Sequence, residues 1–229
     1  LQFFGQKIKQ EQQPFFAIHY NISTHYPYDI PERFSATLPK KYTAPMKSMR
    51  YYDHSLQKFF KTAEHEPWFK ETVFIFCSDH WLVPDDNHVN FNAISGYRIP
   101  IIIYDPAVNQ KKTYSNPVSQ FDVMGTVLAL AGYKDSIITY GGSLPDNNNR
   151  FVISKANAHL YHIIDSTYIL GFNTSNDKAE FLYKYKIDPD LKHNLLNEAT
   201  AATAVSGLTR KIKAFLQKAK MQYTRKPFK

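Results

Sequence analysis

With 229 residues, 43% of them hydrophobic and 15% aromatic, the chain can bury a sizeable core in one large domain or two small ones, and it is not a disordered polymer. Mean hydropathy is -0.43 and no apolar run approaches the ~18 residues that mark a membrane-spanning helix, so this stretch holds no transmembrane segment. The net charge of +8 suits an anionic surface or substrate, but no nucleic-acid recognition motif accompanies it, and the single cysteine excludes an internal disulfide or a Cys-based zinc site.

Leu1–Gln13 is polar, lacks the apolar centre of a signal peptide and does not begin with Met, so the chain reads as part of a longer protein. Pro14 precedes FFAIHYNIST, whose aromatic and β-branched residues predict a strand. The following STHYPYDIP forces a loop. Between Tyr42 and Ala63 the residues Met46, Met49, Tyr52, Leu56, Phe59 and Phe60 recur at helical spacing and predict an apolar stripe. ETVFIFCSD predicts a second strand, apolar enough for burial on both faces, with Cys77 as a small core residue.

YRIPIIIYDP predicts a third strand. The polar connection from Pro84 to Ser95 is too short for a standard helix, which leaves an antiparallel entry open. SQFDVMGTVLALAGY predicts a helix, with Ser119 as N-cap, Asp122 three residues on and Gly132 at the C-terminal stop. Beyond YGGSLPDNNNR come antiparallel strands with a tight turn near Asp165-Ser166. An amphipathic helix over about 201–223 follows, with Leu208, Ile212, Phe215, Leu216, Ala219 and Tyr223 on one face. Lys211, Lys213, Lys218, Lys220, Arg225, Lys226 and Lys229 read as its solvated face and tail. The expected fold is α/β: a mainly parallel central sheet flanked by helices over 1–145, then a small antiparallel β-plus-helix subdomain over 146–229.

Ligands gather outside the carboxyl ends of parallel strands. The first predicted strand ends in Ser23, Thr24 and His25, the second in Ser78, Asp79 and His80. Neighbouring strand residues point to opposite faces, so Asp79 and His80 share an ion only where the backbone turns. A carboxylate with an imidazole suits zinc or manganese better than calcium, yet two ligands are not a complete site. Taken singly, each has a plainer explanation: Asp79-His80 as a turn dipeptide, His25 as an exposed imidazole, His88 among Asp85, Asp86 and Asn87 as a solvated loop. His19, His54, His65, His159, His162 and His193 carry no spacing signal and are assigned to structure or surface.

The ordered set FFAIHYNISTHYPYDIP, YYDHSLQKFF, TVFIFCSDH, YRIPIIIYDP and SQFDVMGTVLALAGY, closed by DPDLKHNLLN, resembles the C-terminal half of the sulfatase-like branch of the alkaline phosphatase superfamily. Within that branch the likeness is to the lipoteichoic acid synthase and phosphoglycerol transferase group. The resemblance implies that Asp79 and His80 bind a divalent metal (Mn, Zn, Mg or Ca, through a site incomplete here) and that His25, with His88 as the weaker candidate, contacts substrate. It also implies a phosphoryl-type transferase or sulfatase-like hydrolase acting on an anionic phosphate or sulfate ester, lipid-linked or free. The enzyme would be held at the extracytoplasmic face of the cytoplasmic membrane by helices outside this chain. The N-terminal half of that fold, which supplies the nucleophile and a further acidic ligand, finds no counterpart before Pro14, so the chain alone is expected to be inactive. The alternative is a non-catalytic module that binds an anionic glycan or lipid headgroup; no nucleic-acid partner is expected. The helix motif departs from the family pattern at Gly125, where a proline is usual, and keeps Gln120, Asp122 and Thr126, with Asp122 read as structural. Trp81 follows His80, where Gly or an aromatic is common.

Overall fold

The computed structural model describes residues 1–81, 92–108, 110–144 and 150–224. Two compact units emerge, one from 1–76 with 102–110, the other from 77–101 with 111–229.

In the first unit, α1 (Gln2–Ile8) lies against α3 (Ala44–Ala63), with the short α2 (Glu32–Ser35) between them in sequence. Ile8, Phe59, Ala63, Trp68 and Phe69 are buried together, and Phe4, Phe15, Phe60 and Phe74 pack around them. This core is almost wholly aromatic, with Phe59 and Phe60 edge-to-face at 5.4 Å. Thr43 caps α3 by accepting the Met46 N–H at 3.5 Å, and Pro45 sits in its first turn, where its missing N–H costs nothing. The predicted helix is present, but its stripe is rotated in the first turns. Pro45 and Ser48 turn inward, whereas Met46 and Met49 are 48% and 50% exposed. A shift of one residue turns a helix face by about 100°.

The expected strand at FFAIHYNIST does not form. Phe16, Ile18, Tyr20 and Ile22 are exposed at 72, 76, 69 and 69%. The intervening Ala17 and His19 are exposed as well, and the stretch is assigned to neither sheet of the described residues; a strand exists only through its ladder. The other two predicted strands do form, as β1 (Phe74–Cys77) and β2 (Ile101–Tyr104), paired in a two-stranded sheet. Burial on both faces is not seen. Phe74, Ile75 and Phe76 are half-buried, while Cys77, Ile102, Ile103 and Tyr104 are exposed.

In the second unit α4 (Phe121–Leu130) is fastened at both ends. The Asp122 carboxylate accepts the Ser119 N–H at 2.7 Å and the Gly142 N–H at 2.7 Å, and it pairs with Arg150 Nη1 at 2.8 Å. Asp122 is thus structural, one half of a capping box reaching back to Ser119. The cap position itself falls one residue later than expected, at Gln120. Gly132, at φ +74, closes the helix: its N–H meets the Ala129 carbonyl at 3.1 Å and that of Tyr133 meets Leu128 at 2.9 Å.

Then β3 (Val152–Lys155), β4 (Leu160–Ile164), β5 (Ile169–Asn173) and β6 (Lys178–Tyr183) form an antiparallel meander in chain order. The Asp165 side chain accepts from Thr167 and Tyr168 and makes the predicted turn between β4 and β5. Helix α5 (Ala202–Thr224) places Leu208 and Ile212 on Ile163, Leu170, Phe172 and Leu182. Phe215 instead meets the Tyr140 ring at 5.4 Å. The closing segment is sewn to β6: Leu195 N–H donates to the Leu182 carbonyl at 2.8 Å, and the Asn194 side chain accepts the Leu182 N–H at 3.0 Å. This C-terminal β-plus-helix arrangement is the one expected.

His162 on β4 is 3% exposed, with the rings of Tyr97 and Phe181 each 5.6 Å away. Burial pushes its pKa below the ordinary 6.5. A buried imidazole favoured as the neutral form contributes stability that is complete above the unfolded value and is lost as pH falls through the lower folded one. The urea midpoint should therefore drop between about pH 7.5 and about pH 5, and His162→Phe should flatten that drop. An equally steep drop in the variant would place its origin elsewhere.

Candidate functional site

Where β1 ends, the chain turns at Ser78, Asp79 and His80. The His80 N–H donates to Asp79 Oδ1 at 2.9 Å, and His80 Nε2 lies 3.7 Å from Asp79 Oδ2. His80 Nδ1 is 2.7 Å from the Trp81 carbonyl oxygen. A carbonyl only accepts, so Nδ1 carries a proton, and Nε2 is the ring nitrogen on the carboxylate's side. The His80 and Asp79 side chains are 66% and 56% exposed, open to a ligand from solvent.

Gln120, the residue before α4, reaches this turn. Its Nε2 donates to the Ser78 and Asp79 carbonyls, each at 2.8 Å. Nothing local in the sequence signals this contact, since 41 residues separate Gln120 from Asp79. The glutamine is visible in the helix motif; its destination is a tertiary fact.

His25 belongs to the first unit. Its loop is tied within itself: the His25 N–H donates to the Ile22 carbonyl at 2.9 Å, and the Tyr28 N–H to the His25 carbonyl at 2.7 Å. Ser23 Oγ donates to Asn21 Oδ1 at 2.8 Å, and Asn21 Nδ2 donates to Thr24 Oγ1 at 2.9 Å. His25 Nδ1 is 2.7 Å from the Tyr26 carbonyl, so by the same reasoning its Nδ1 carries a proton, on an exposed ring. His88, with its flanking Asp85, Asp86 and Asn87, lies outside the described residues.

One carboxylate oxygen and one imidazole nitrogen fit a divalent transition metal in kind. The tie from Nδ1 to a backbone carbonyl is the support that metal-binding histidines ordinarily have. Among the described residues no group of three or more His, Cys, Asp or Glu is placed to hold an ion. Cys77 next to it is exposed rather than in the core. Partial desolvation and the Asp79 carboxylate push its thiol pKa up, the opposite of an activated nucleophile. Among the described residues no helix is long and apolar enough to cross a membrane.

Residues 1–133 match the family model described as Sulfatase. Two Bacillus subtilis (strain 168) proteins are similar: lipoteichoic acid synthase-like YvgJ, 24% identical over 56% of this chain, and lipoteichoic acid synthase 1, 27% identical over 60% of it. Each match spans 24% of the relative, so the matched part of the chain corresponds to about a quarter of those proteins. Among solved structures, a 2-O GAG sulfatase superposes with a TM-score of 0.60 at 17% identity, over 79% of this chain and 43% of that one. A protein solved with its substrate D-glucosamine-2-N,6-O-disulfate superposes with a TM-score of 0.55 at 19% identity, over 82% of this chain and 45% of that one. At these identities the two structures speak for the fold alone.

Proposed function

The chain belongs to the sulfatase family, and from that premise we propose that it is the metal-binding and substrate-contacting part of a phosphoryl-type transferase of the lipoteichoic acid synthase and phosphoglycerol transferase group. The observation that carries this reading is the convergence of Asp79 and His80 at the end of β1, with Nε2 turned to the carboxylate side. Asp79 and His80 would hold a divalent cation together with an acidic ligand from a part of the protein N-terminal to this chain. Bound there, such an ion lowers the pKa of a hydroxyl nucleophile and neutralises charge on the oxygens of the transferring group. His25 offers an acceptor nitrogen, and on protonation a cation, to a phosphate or headgroup, and His88 would line the same substrate. Ser23 and Thr24 are engaged in their own loop; on this reading the nucleophile would come from outside this chain, which alone should turn over no ester. The exposed row Phe16, Ile18, Tyr20 and Ile22 and the exposed side chains of β2 offer the apolar surface on which that other part would pack. The whole protein would work at the extracytoplasmic face of the membrane on lipid-linked phosphodiesters, where a positively charged chain favours anionic substrates.

The test begins with manganese alone. In a Mn2+ titration followed by NMR, the Asp79 and His80 signals should broaden first, and Asp79→Asn should abolish that order. Broadening that starts at other residues would overturn the assignment. In the full-length protein, His80→Gln should remove turnover of a phosphodiester, and turnover of sulfate esters alone would move the reading to the hydrolase branch. Headgroup binding without any turnover would establish the binding-module alternative.

A further inference from the structure

On a continuing strand, consecutive carbonyls point to opposite edges and consecutive side chains to opposite faces. At the end of β1 both alternations are broken. A single nitrogen, Gln120 Nε2, donates to the carbonyls of Ser78 and Asp79 together, each at 2.8 Å, so these two successive peptide groups present their oxygens to one point. The same turn brings Asp79 Oδ2 and His80 Nε2 to 3.7 Å, although an extended backbone would send the two side chains apart. A primary amide has two N–H donors, and here each has a carbonyl, so the Gln120 nitrogen is fully used.

The geometry points to Gln120 as the positioning residue of the Asp79–His80 pair: its amide clamps the two carbonyls and holds the turn in which carboxylate and imidazole face one ligand. The clamp stands on a rigid base. Asp122, two residues on, is buried and held by Arg150, Gly142 N–H and Ser119 N–H, so the helix start cannot drift. A shorter side chain at position 120 would not span the distance, and one ending in oxygen alone would set lone pair against lone pair. Gln120 touches no ligand in this role. It acts through the backbone of its neighbours, as outer-shell partners of metal ligands do. The consequence for metal binding rests on the reading of Asp79 and His80 given above, whereas the clamp itself does not.

Two readouts on the intact chain separate the two. The first needs no metal: at about pH 8, ring nitrogen shifts should show His80 protonated on Nδ1 in the wild type, and Gln120→Ala should spread that proton between Nδ1 and Nε2. The second is the Mn2+ concentration that half-broadens the Asp79 and His80 signals, which should rise about 10-fold in Gln120→Ala. Thermal midpoints recorded alongside should move little, because the Gln120 side chain is exposed. Gln120→Glu keeps the side-chain length, removes the donor nitrogen and should reproduce both changes, including where the alanine variant proves too unstable to record. An unchanged His80 tautomer in these variants would overturn the clamp. A shifted tautomer with no selective Mn2+ response in the wild type would keep the clamp and overturn the metal reading instead.

Discussion

Arg150→Met should cost the second unit about 3–5 kcal/mol in chemical denaturation, the loss expected when one partner of a buried ion pair is removed. The Arg150 and Asp122 side chains are only 13% and 6% exposed, so the carboxylate left behind has little access to solvent. Two of its hydrogen bonds would survive, from the N–H groups of Ser119 and Gly142, but they were set for a neutralised charge. Arg150 Nη2 also donates to the Ser143 carbonyl, so the loop that carries Gly142 loses a second tie. The double variant Asp122→Asn with Arg150→Met should recover a large part of the loss, because no buried charge then remains unpaired. A loss below about 1 kcal/mol for the single variant would place this pair with surface ion pairs and remove its role as the base of the Gln120 clamp.

Gly125→Ala should destabilise the same unit by about 1–3 kcal/mol, against the usual direction for a glycine inside a helix. An exposed helical glycine typically gains about 1 kcal/mol on replacement by alanine. At Gly125 a Cβ would meet the Gly142 carbonyl oxygen at 2.5 Å and its carbon at 2.9 Å. Both are backbone atoms with no rotamer to escape into, and the Gly142 N–H is already committed to Asp122. Gly207 in α5 is the internal control: nothing lies within 4 Å of its added Cβ, so Gly207→Ala should raise stability by about 0.5–1 kcal/mol. Equal signs for the two variants would show that crowding at Gly142 does not govern position 125. The departure from the family pattern at this position thus has a local cause, the close passage of another stretch of main chain.

What could be read ahead of the structure divides along a physical line. Features decided by neighbours in sequence were legible: the Ser119–Asp122 link and the Gly132 stop of α4, the Asp165 turn, the alternation of β3 to β6 and the Leu208–Ile212 face of α5. Features that depend on a distant partner were not. FFAIHYNIST has strand chemistry but no ladder, Met46 and Met49 have helical spacing but no cover, and Cys77 sits in an apolar run on an uncovered edge. The opening helix α1 was missed because its composition is polar, and only packing of Phe4 and Ile8 on α3 identifies its inner face. The candidate site shows the same split. Asp79 and His80 were identifiable as a pair, whereas the turn that unites them is held by Gln120 from another element.

The meander has a consequence for the order in which this polypeptide matures. Strands β3 to β6 each pair with the next in sequence, and α5 closes over β5 and β6 directly afterwards, so the loops that must close are short and the search is fast. The first unit is the reverse case, assembled from 1–76 and the separate stretch 102–110, with a sheet that needs both. Synthesis runs from the amino end, so the ribosome releases the aromatic, strand-like material before the meander. During that interval Phe16, Ile18, Tyr20 and Ile22 present exposed apolar side chains on a nascent chain, the kind of segment that holdase chaperones bind. Yield in cells should accordingly respond more to chaperone supply and translation speed than to the stability of the C-terminal sheet.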